Sequence, residues 1–184
     1  IELINNYLLQ NNIKASYYDK IPNPVYIQEK TATIFIIDNN KNVRECLIDT
    51  EDLKLLNTGN SIRGITDNRR CTTYATMYNT KTQRAISIHQ IFVTAPEGFV
   101  IDHFDRNGLN NKRANLKIVT MSQNMLNKSV FKSNKLGIKN ITMLNDYYCI
   151  NLSKKYKTLE EAVLIRNKIY NVIYDNDYPE LNNT

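Results

Sequence analysis

The sequence predicts an α+β protein, and three observations carry that prediction. Segments that alternate apolar and polar residues come in pairs around short turns, the pattern of β-hairpins. A strand–loop–strand–helix pattern runs through residues 99–128. Toward the C-terminus an apolar stripe at helical spacing, Ala162, Ile165, Ile169 and Ile173, follows a basic turn.

Taken in order, residues 1–30 open with a short helical pattern (Ile1, Leu3, Ile4, Leu8) and continue as a loop marked by Pro22 and Pro24. "TATIFIID" and "NVRECLID" read as two strands around the turn Asn39–Asn42. "DTEDLKLLN" is expected to be a short helix, with Asp49 or Thr50 as its N-cap and acids in its first turn. "RCTTYATMY" and "RAISIHQIF" form a second expected hairpin around "NTKT", and "PEG" at 96–98 ends it. "FVID" and "KIVT" are strands, "FDRNGLNNKRANL" between them an ordered Ω-like loop, and "MSQNMLNKS" a short helix. In "CINLSKKYKTLEEAVLIRNKIYNVIY" the expectation is strand, basic turn, then a helix capped by Thr158 with Glu161 at the capping-box position. The polar tail is expected to fray.

Composition narrows the class. With 42% hydrophobic and 23% charged residues among 184, the chain has the make-up of a soluble globular protein. Its longest apolar run, Ile34–Ile37, is too short for a membrane span, so no membrane partner is expected. No secretory signal is visible in "IELINNYLLQNN", and a cytoplasmic setting, in a bacterial or phage-infected cell, is expected. Cys46, Cys71 and Cys149 are far apart, and there are only two histidines, so no structural zinc is expected. The net charge of +6 resides in one segment: Lys128 to Lys157 holds seven lysines and a single acid, Asp146. Tyrosines 147, 148 and 156 are interleaved with these lysines, a mixture suited to phosphates and sugars and hence to nucleic acid. Tyr147 and Tyr148 read equally as sheet core or as contacts to DNA.

The chemistry concentrates in residues 100–124, "VIDHFDRNGLNNKRANLKIVTMSQN". In a strand–loop–strand–helix unit, Asp102 and Asn124 can meet as two oxygen ligands. One carboxylate and one amide oxygen leave the other positions to water and a phosphate oxygen, which suits Mg²⁺, with Mn²⁺ as a substitute. His103 can take a proton from water near neutral pH, provided local twist brings it to the same cleft as Asp102. A general base beside such an ion meets the needs of phosphodiester hydrolysis.

Asp102-His103, Asn115 and Asn124 have the spacing of the HNH, or ββα-metal, nucleases, and the chain resembles phage- and intron-encoded HNH homing endonucleases over residues 45–128. Four blocks agree in order: His89, "PEGFVIDH", "NGLNNKRANL" and "VTMSQNMLN". The resemblance implies a ββα-metal centre with His103 as general base, Asp102 and Asn124 as metal ligands, and Asn115 pinning the loop and orienting the base. His89 reads equally as a group supporting the site or as a structural residue at the hairpin–helix junction. Gln90 stands where the family has arginine, and Asn110-Asn111 where it has "DN". Lys112 and Arg113 are therefore the expected contacts to backbone phosphate.

Residues 134–175 resemble the DNA-binding domain of plant ethylene-response factors, a three-stranded sheet backed by a helix, although the usual tryptophans are absent. That resemblance implies a DNA-facing sheet carrying Lys139, Tyr148, Lys154, Lys155 and Tyr156. The expected division is thus a region of unassigned role at 1–44, an HNH nuclease domain at 45–130, a basic DNA-binding module at 131–176 and a frayed tail at 177–184. The expected function is a Mg²⁺-dependent endonuclease acting on double-stranded DNA at a recognised site, of homing type, making a nick or a double-strand break. A type II restriction enzyme acting as a homodimer is the alternative among enzymes. A catalytically silent DNA-binding regulator on an HNH scaffold is the alternative outside them.

Overall fold

The computed structural model describes residues 1–67, 72–80, 82–127, 136, 138, 141–144, 147–150 and 154–173. They fall into two units, 1–124 and 125–184.

In the first unit, helix α1 (Glu2–Gln10) is followed by an antiparallel sheet in the order β1 (Ser16–Tyr17), β2 (Pro24–Gln28), β3 (Thr31–Ile37) and β4 (Val43–Asp49). β3 is almost continuously apolar because both of its faces are covered. Ala32, Ile34 and Ile36 enter the main core, while Phe35 on the opposite face packs against Ile4 and Leu8 of α1. The segment expected as a loop therefore contains β1 and β2. Pro24 is compatible with a strand because it is the first residue of β2, where the missing N–H costs little.

The turn from β3 to β4 is organised by Asp38, whose buried carboxylate accepts from the Asn40 and Asn42 N–H groups (2.9 Å each), Arg44 Nε (2.9 Å) and Thr66 Oγ1 (3.1 Å). Burial alone would raise its pKa, but these donors outweigh burial and hold it down at about 2. Residues Thr50–Leu56 form a 3₁₀ helix with Leu53 and Leu56 in the core.

A second sheet consists of β5 (Ile62–Asp67), β6 (Thr72–Asn79) and β7 (Arg84–Ser87). β5 was not legible as a strand. Gly64 lies within it opposite Ala75, and a Cβ there would lie 2.9 Å from Cβ of Asp38. Buried Asn23 joins the two sheets: its Nδ2 donates to the Phe35 and Ile62 carbonyls (3.0 Å each), and its Oδ1 accepts from the Ile62 N–H (2.8 Å). The strand expected through residue 92 stops at Ser87, and His89–Phe92 form the one-turn helix α2. Ile88 and Phe92, four residues apart, both reach the core, and helical spacing puts them on one face.

β8 (Phe99–His103) and β9 (Leu116–Thr120) pair antiparallel, with Asp102 opposite Lys117 and His103 opposite Leu116. Helix α3 (Met121–Asn127) begins directly after β9. Its start is a reciprocal box: the Gln123 N–H donates to Thr120 Oγ1 (3.2 Å), and the Thr120 N–H donates to Gln123 Oε1 (2.8 Å). The boundary expected after residue 44 falls inside β4, so residues 1–44 share their sheet and core with later parts of the chain.

The second unit has the antiparallel sheet β10 (Ile141–Leu144), β11 (Tyr147–Ile150) and β12 (Lys154–Tyr156), with helix α4 (Leu159–Ile173). Part of the expected basic turn is thus the strand β12. Thr158 Oγ1 accepts from the Glu161 N–H (3.3 Å) at the start of α4. Ile141, Ile150 and Ala162 form the core here, with Tyr148, Tyr156, Val163 and Ile165 packed against them.

Candidate active site

His103 ends β8 and points inward, only 5% exposed. Its ring lies 4.9 Å from that of His89 in an edge-to-face arrangement and 5.8 Å from Tyr74 of β6. Its Nε2 is 3.2 Å from Oδ1 of Asn111. Burial lowers the His103 pKa against the opposing influence of Asn111, Asp102 and Asp105. His89, at the junction of β7 and α2, is pushed down to about 4 by burial, with His103 adding to the shift. Both imidazoles are therefore neutral at pH 7.

The loop from 104 to 115 is ordered by its own side chains. Asn115 Nδ2 donates to Asp105 Oδ1 (2.9 Å) and to the Asn110 carbonyl (2.7 Å), while its Oδ1 accepts from the Asp105 N–H (3.0 Å). Asp105 Oδ1 also accepts from the Asn107 N–H (2.8 Å), and Asn107 Oδ1 from the Leu109 N–H (3.1 Å), two successive Asx turns. Arg106 adopts φ 65°, and Gly108 lies so close to β6 that a Cβ would be 2.5 Å from the Thr73 carbonyl oxygen.

The loop is also stitched to the edge of β4. The Leu47 N–H donates to the Leu109 carbonyl (2.8 Å), and the Asn111 N–H to the Leu47 carbonyl (2.7 Å). The hairpin β3–β4, within and beside the region of unassigned role, thereby supports the loop around His103. Asn111 is the residue that sequence reasoning missed. The hydrogen bond at His103 Nε2 is with Asn111, while Asn115 bonds within the loop. The doublet Asn110-Asn111 was the available signal, since it interrupts the family pattern at this place.

Asp102, half-buried, precedes His103 on β8, and half-buried Asn124 lies in α3. Adjacent strand residues face opposite ways, so the hairpin alone does not put Asp102 and His103 on one side. Among the described residues no group of three or more His, Cys, Asp and Glu side chains is gathered.

The expected phosphate contacts divide. Lys112 is half-buried. Arg113 is committed within the fold: Nη2 and Nε bind Asp52 at 2.7 and 2.9 Å, and Nη1 donates to the Phe92 carbonyl at 2.8 Å. Asp52 is buried and needs a cation, and Arg113 supplies it. In the second unit Tyr148 pairs with Tyr156 across β11 and β12, and both pack on the core with Ile150. Alternation leaves Lys155 and Tyr147 on the other face of this sheet. There Lys155 Nζ stands 5.7 Å from the centroid of the exposed Tyr147 ring. Lys139 lies outside the described residues, as does the side chain of Lys154.

Residues 94–126 match the HNH endonuclease family. A 50-residue stretch is also 44% identical to a protein of Acanthamoeba polyphaga mimivirus described as an uncharacterized HNH endonuclease, and it covers 27% of this chain and 26% of that protein. The similarity thus spans about a quarter of that relative's length. No solved structure matches. The HNH match spans β8, the loop, β9 and most of α3, and contains Asp102, His103, Asn111, Asn115 and Asn124. Tyr74, His89 and Cys46 lie outside the matched residues. The match ends at residue 126 and lends nothing to the ethylene-response-factor resemblance.

Proposed function

We propose that this protein is a metal-dependent endonuclease that hydrolyses phosphodiester bonds in double-stranded DNA at a recognised site, in the manner of homing endonucleases. The observation that carries the reading is a neutral, nearly enclosed His103 held at the end of β8 inside the HNH match. A neutral imidazole accepts the proton of a water attacking phosphorus, and burial keeps it neutral at pH 7. Asp102 and Asn124 supply one carboxylate and one amide oxygen, both partly open to solvent, a donor set that suits Mg²⁺. When bound there, an ion would supply positive charge to offset the negative charge that develops in phosphodiester hydrolysis. Asn115 keeps the loop closed beside the base. Lys112 in the first unit, and separately Lys155 and Tyr147 on the exposed face of the β10–β12 sheet, offer contacts to phosphate and sugar.

The test is cleavage of supercoiled plasmid with and without Mg²⁺, by wild type, His103→Ala and Asp102→Ala. Loss of the base is expected to lower single-turnover cleavage roughly 10²–10⁴-fold while DNA binding persists. Asp102→Ala is expected to lose metal affinity as well. Cleavage by His103→Ala at the wild-type rate would end this reading.

A further inference from the structure

Two basic residues near the HNH loop stand in contrasting surroundings. Arg113 is taken up by Asp52, whereas Lys117 on β9 is exposed and forms no ion pair among the described residues. The place of Lys117 is set by strand register. Residues directly opposite in an antiparallel pair project to the same face, and Lys117 stands opposite Asp102. The pairing continues one step past β8, where the Phe104 N–H donates to the Asn115 carbonyl at 2.9 Å. Alternation therefore gives Phe104 the same face as Asp102. Lys117 Nζ lies 5.9 Å from the centroid of the Phe104 ring. The lysine thus leans from β9 across to β8 and carries its charge over the stretch Asp102–Phe104, whose middle residue is His103. A compact ammonium on a flexible stem, beside a half-buried carboxylate with which it makes no ion pair, is placed to meet an incoming anion.

We propose that Lys117 is a catalytic residue that binds the scissile phosphodiester, its ammonium donating to a nonbridging oxygen on the face of the hairpin that carries Asp102. This rests on the hydrolytic reading above, in which Asp102 and His103 serve the same phosphate. Charge favours the assignment. The Asp102 carboxylate with a divalent ion would hold one positive charge in excess, which the phosphodiester in its ground state cancels. When a water oxygen bonds to phosphorus and its proton passes to the base, the phosphoryl group gains a second negative charge. The bond from phosphorus to the leaving oxygen then breaks, and that oxygen keeps the electron pair and takes a proton from solvent. Lys117 keeps its own proton throughout and acts through charge alone. Its ammonium interacts more strongly with the doubly charged arrangement than with the ground state, so it lowers the barrier as well as aiding binding. Arg113 cannot take this part, since its guanidinium is bound by Asp52 and the Phe92 carbonyl.

The experiment uses the full chain with Lys117→Met, which keeps the length and removes the charge, and Lys117→Arg, which keeps the charge. Because Lys117 is exposed, Lys117→Met is expected to unfold in urea at the wild-type midpoint. Its single-turnover cleavage in saturated complex is expected to fall roughly 10–100-fold, less than for an enclosed oxyanion donor because water screens an exposed charge. Lys117→Arg should recover most of the rate. DNA binding without divalent ions gives a second readout: the slope of log affinity against log salt should be about 0.9 shallower for Lys117→Met, the loss of one phosphate contact. A neutral methylphosphonate at the linkage that wild type cleaves should erase the affinity difference between wild type and Lys117→Met. Cleavage by Lys117→Met at the wild-type rate overturns the proposal even where binding is weaker, as does an affinity difference that survives the methylphosphonate. A lowered unfolding midpoint with no recovery by Lys117→Arg overturns it in favour of a structural lysine. A wild type that cleaves no DNA would remove the hydrolytic reading; the salt slope would still uphold the phosphate contact if shallower and overturn it if unchanged.

Discussion

Replacing Arg113 by alanine separates a structural arginine from a DNA-binding one. The guanidinium binds Asp52 through Nη2–Oδ1 at 2.7 Å and Nε–Oδ2 at 2.9 Å, a bidentate pair, and Nη1 also satisfies the Phe92 carbonyl. Removing one member of a buried ion pair typically costs about 3–5 kcal/mol, because the other charge is left without compensation. The Asp52 side chain is 3% exposed but that of Arg113 is 43% exposed, so water can reach the carboxylate once the arginine is gone. That access offsets part of the penalty, leaving an expected loss of about 2–3 kcal/mol. Urea unfolding of wild type, Arg113→Ala, Asp52→Asn and the double variant measures both the loss and the coupling. The double variant is expected to be less damaged than the sum of the singles, since no charge is left buried alone. DNA binding measured in parallel is expected to keep its salt dependence. Stability within about 0.5 kcal/mol of wild type, with weaker binding and a shallower salt slope, would refute the reasoning and return Arg113 to the phosphate backbone.

The same geometry sets two further outcomes. The His89 pKa is about 4 in the folded state against 6.5 ordinarily, so below pH 6.5 the unfolded chain binds the extra proton first. Stability present above pH 6.5 should be lost as pH falls toward 4, and urea titrations across that range should show a flatter loss for His89→Gln; an unchanged profile would mean that His89 is not held neutral. Gly108→Ala would put a Cβ 2.5 Å from the Thr73 carbonyl oxygen, so the loop must shift at a cost of about 1–3 kcal/mol. Its unfolding midpoint and its cleavage rate should both fall, and wild-type values for both would show that this contact is not needed.

Local pattern was enough for the elements whose stabilisation is local. The hairpin of β3 and β4, the strands β8 and β9, helix α3 and the cap of α4 at Thr158 were all legible, because alternation, turn residues and caps act within a few positions. The motif Asp102-His103, with Asn115 and Asn124 at their spacings, was legible for the same reason: it lies within one short unit of chain. What the sequence could not reveal depends on contacts between distant segments. Arg113 looks like any basic loop residue until Asp52, 61 positions away, is found beneath it. Tyr148 and Tyr156 resemble nucleic-acid contacts until strand register turns both toward Ile150. Asn111 is one asparagine among several in its loop, and its bond to His103 arises only because the edge of β4 captures the backbone at Leu47. Burial, ion pairing and imidazole orientation are set by which surfaces meet, and in this chain residues that meet at His103 come from β6, α2 and the loop after β8, a loop bonded in turn to β4.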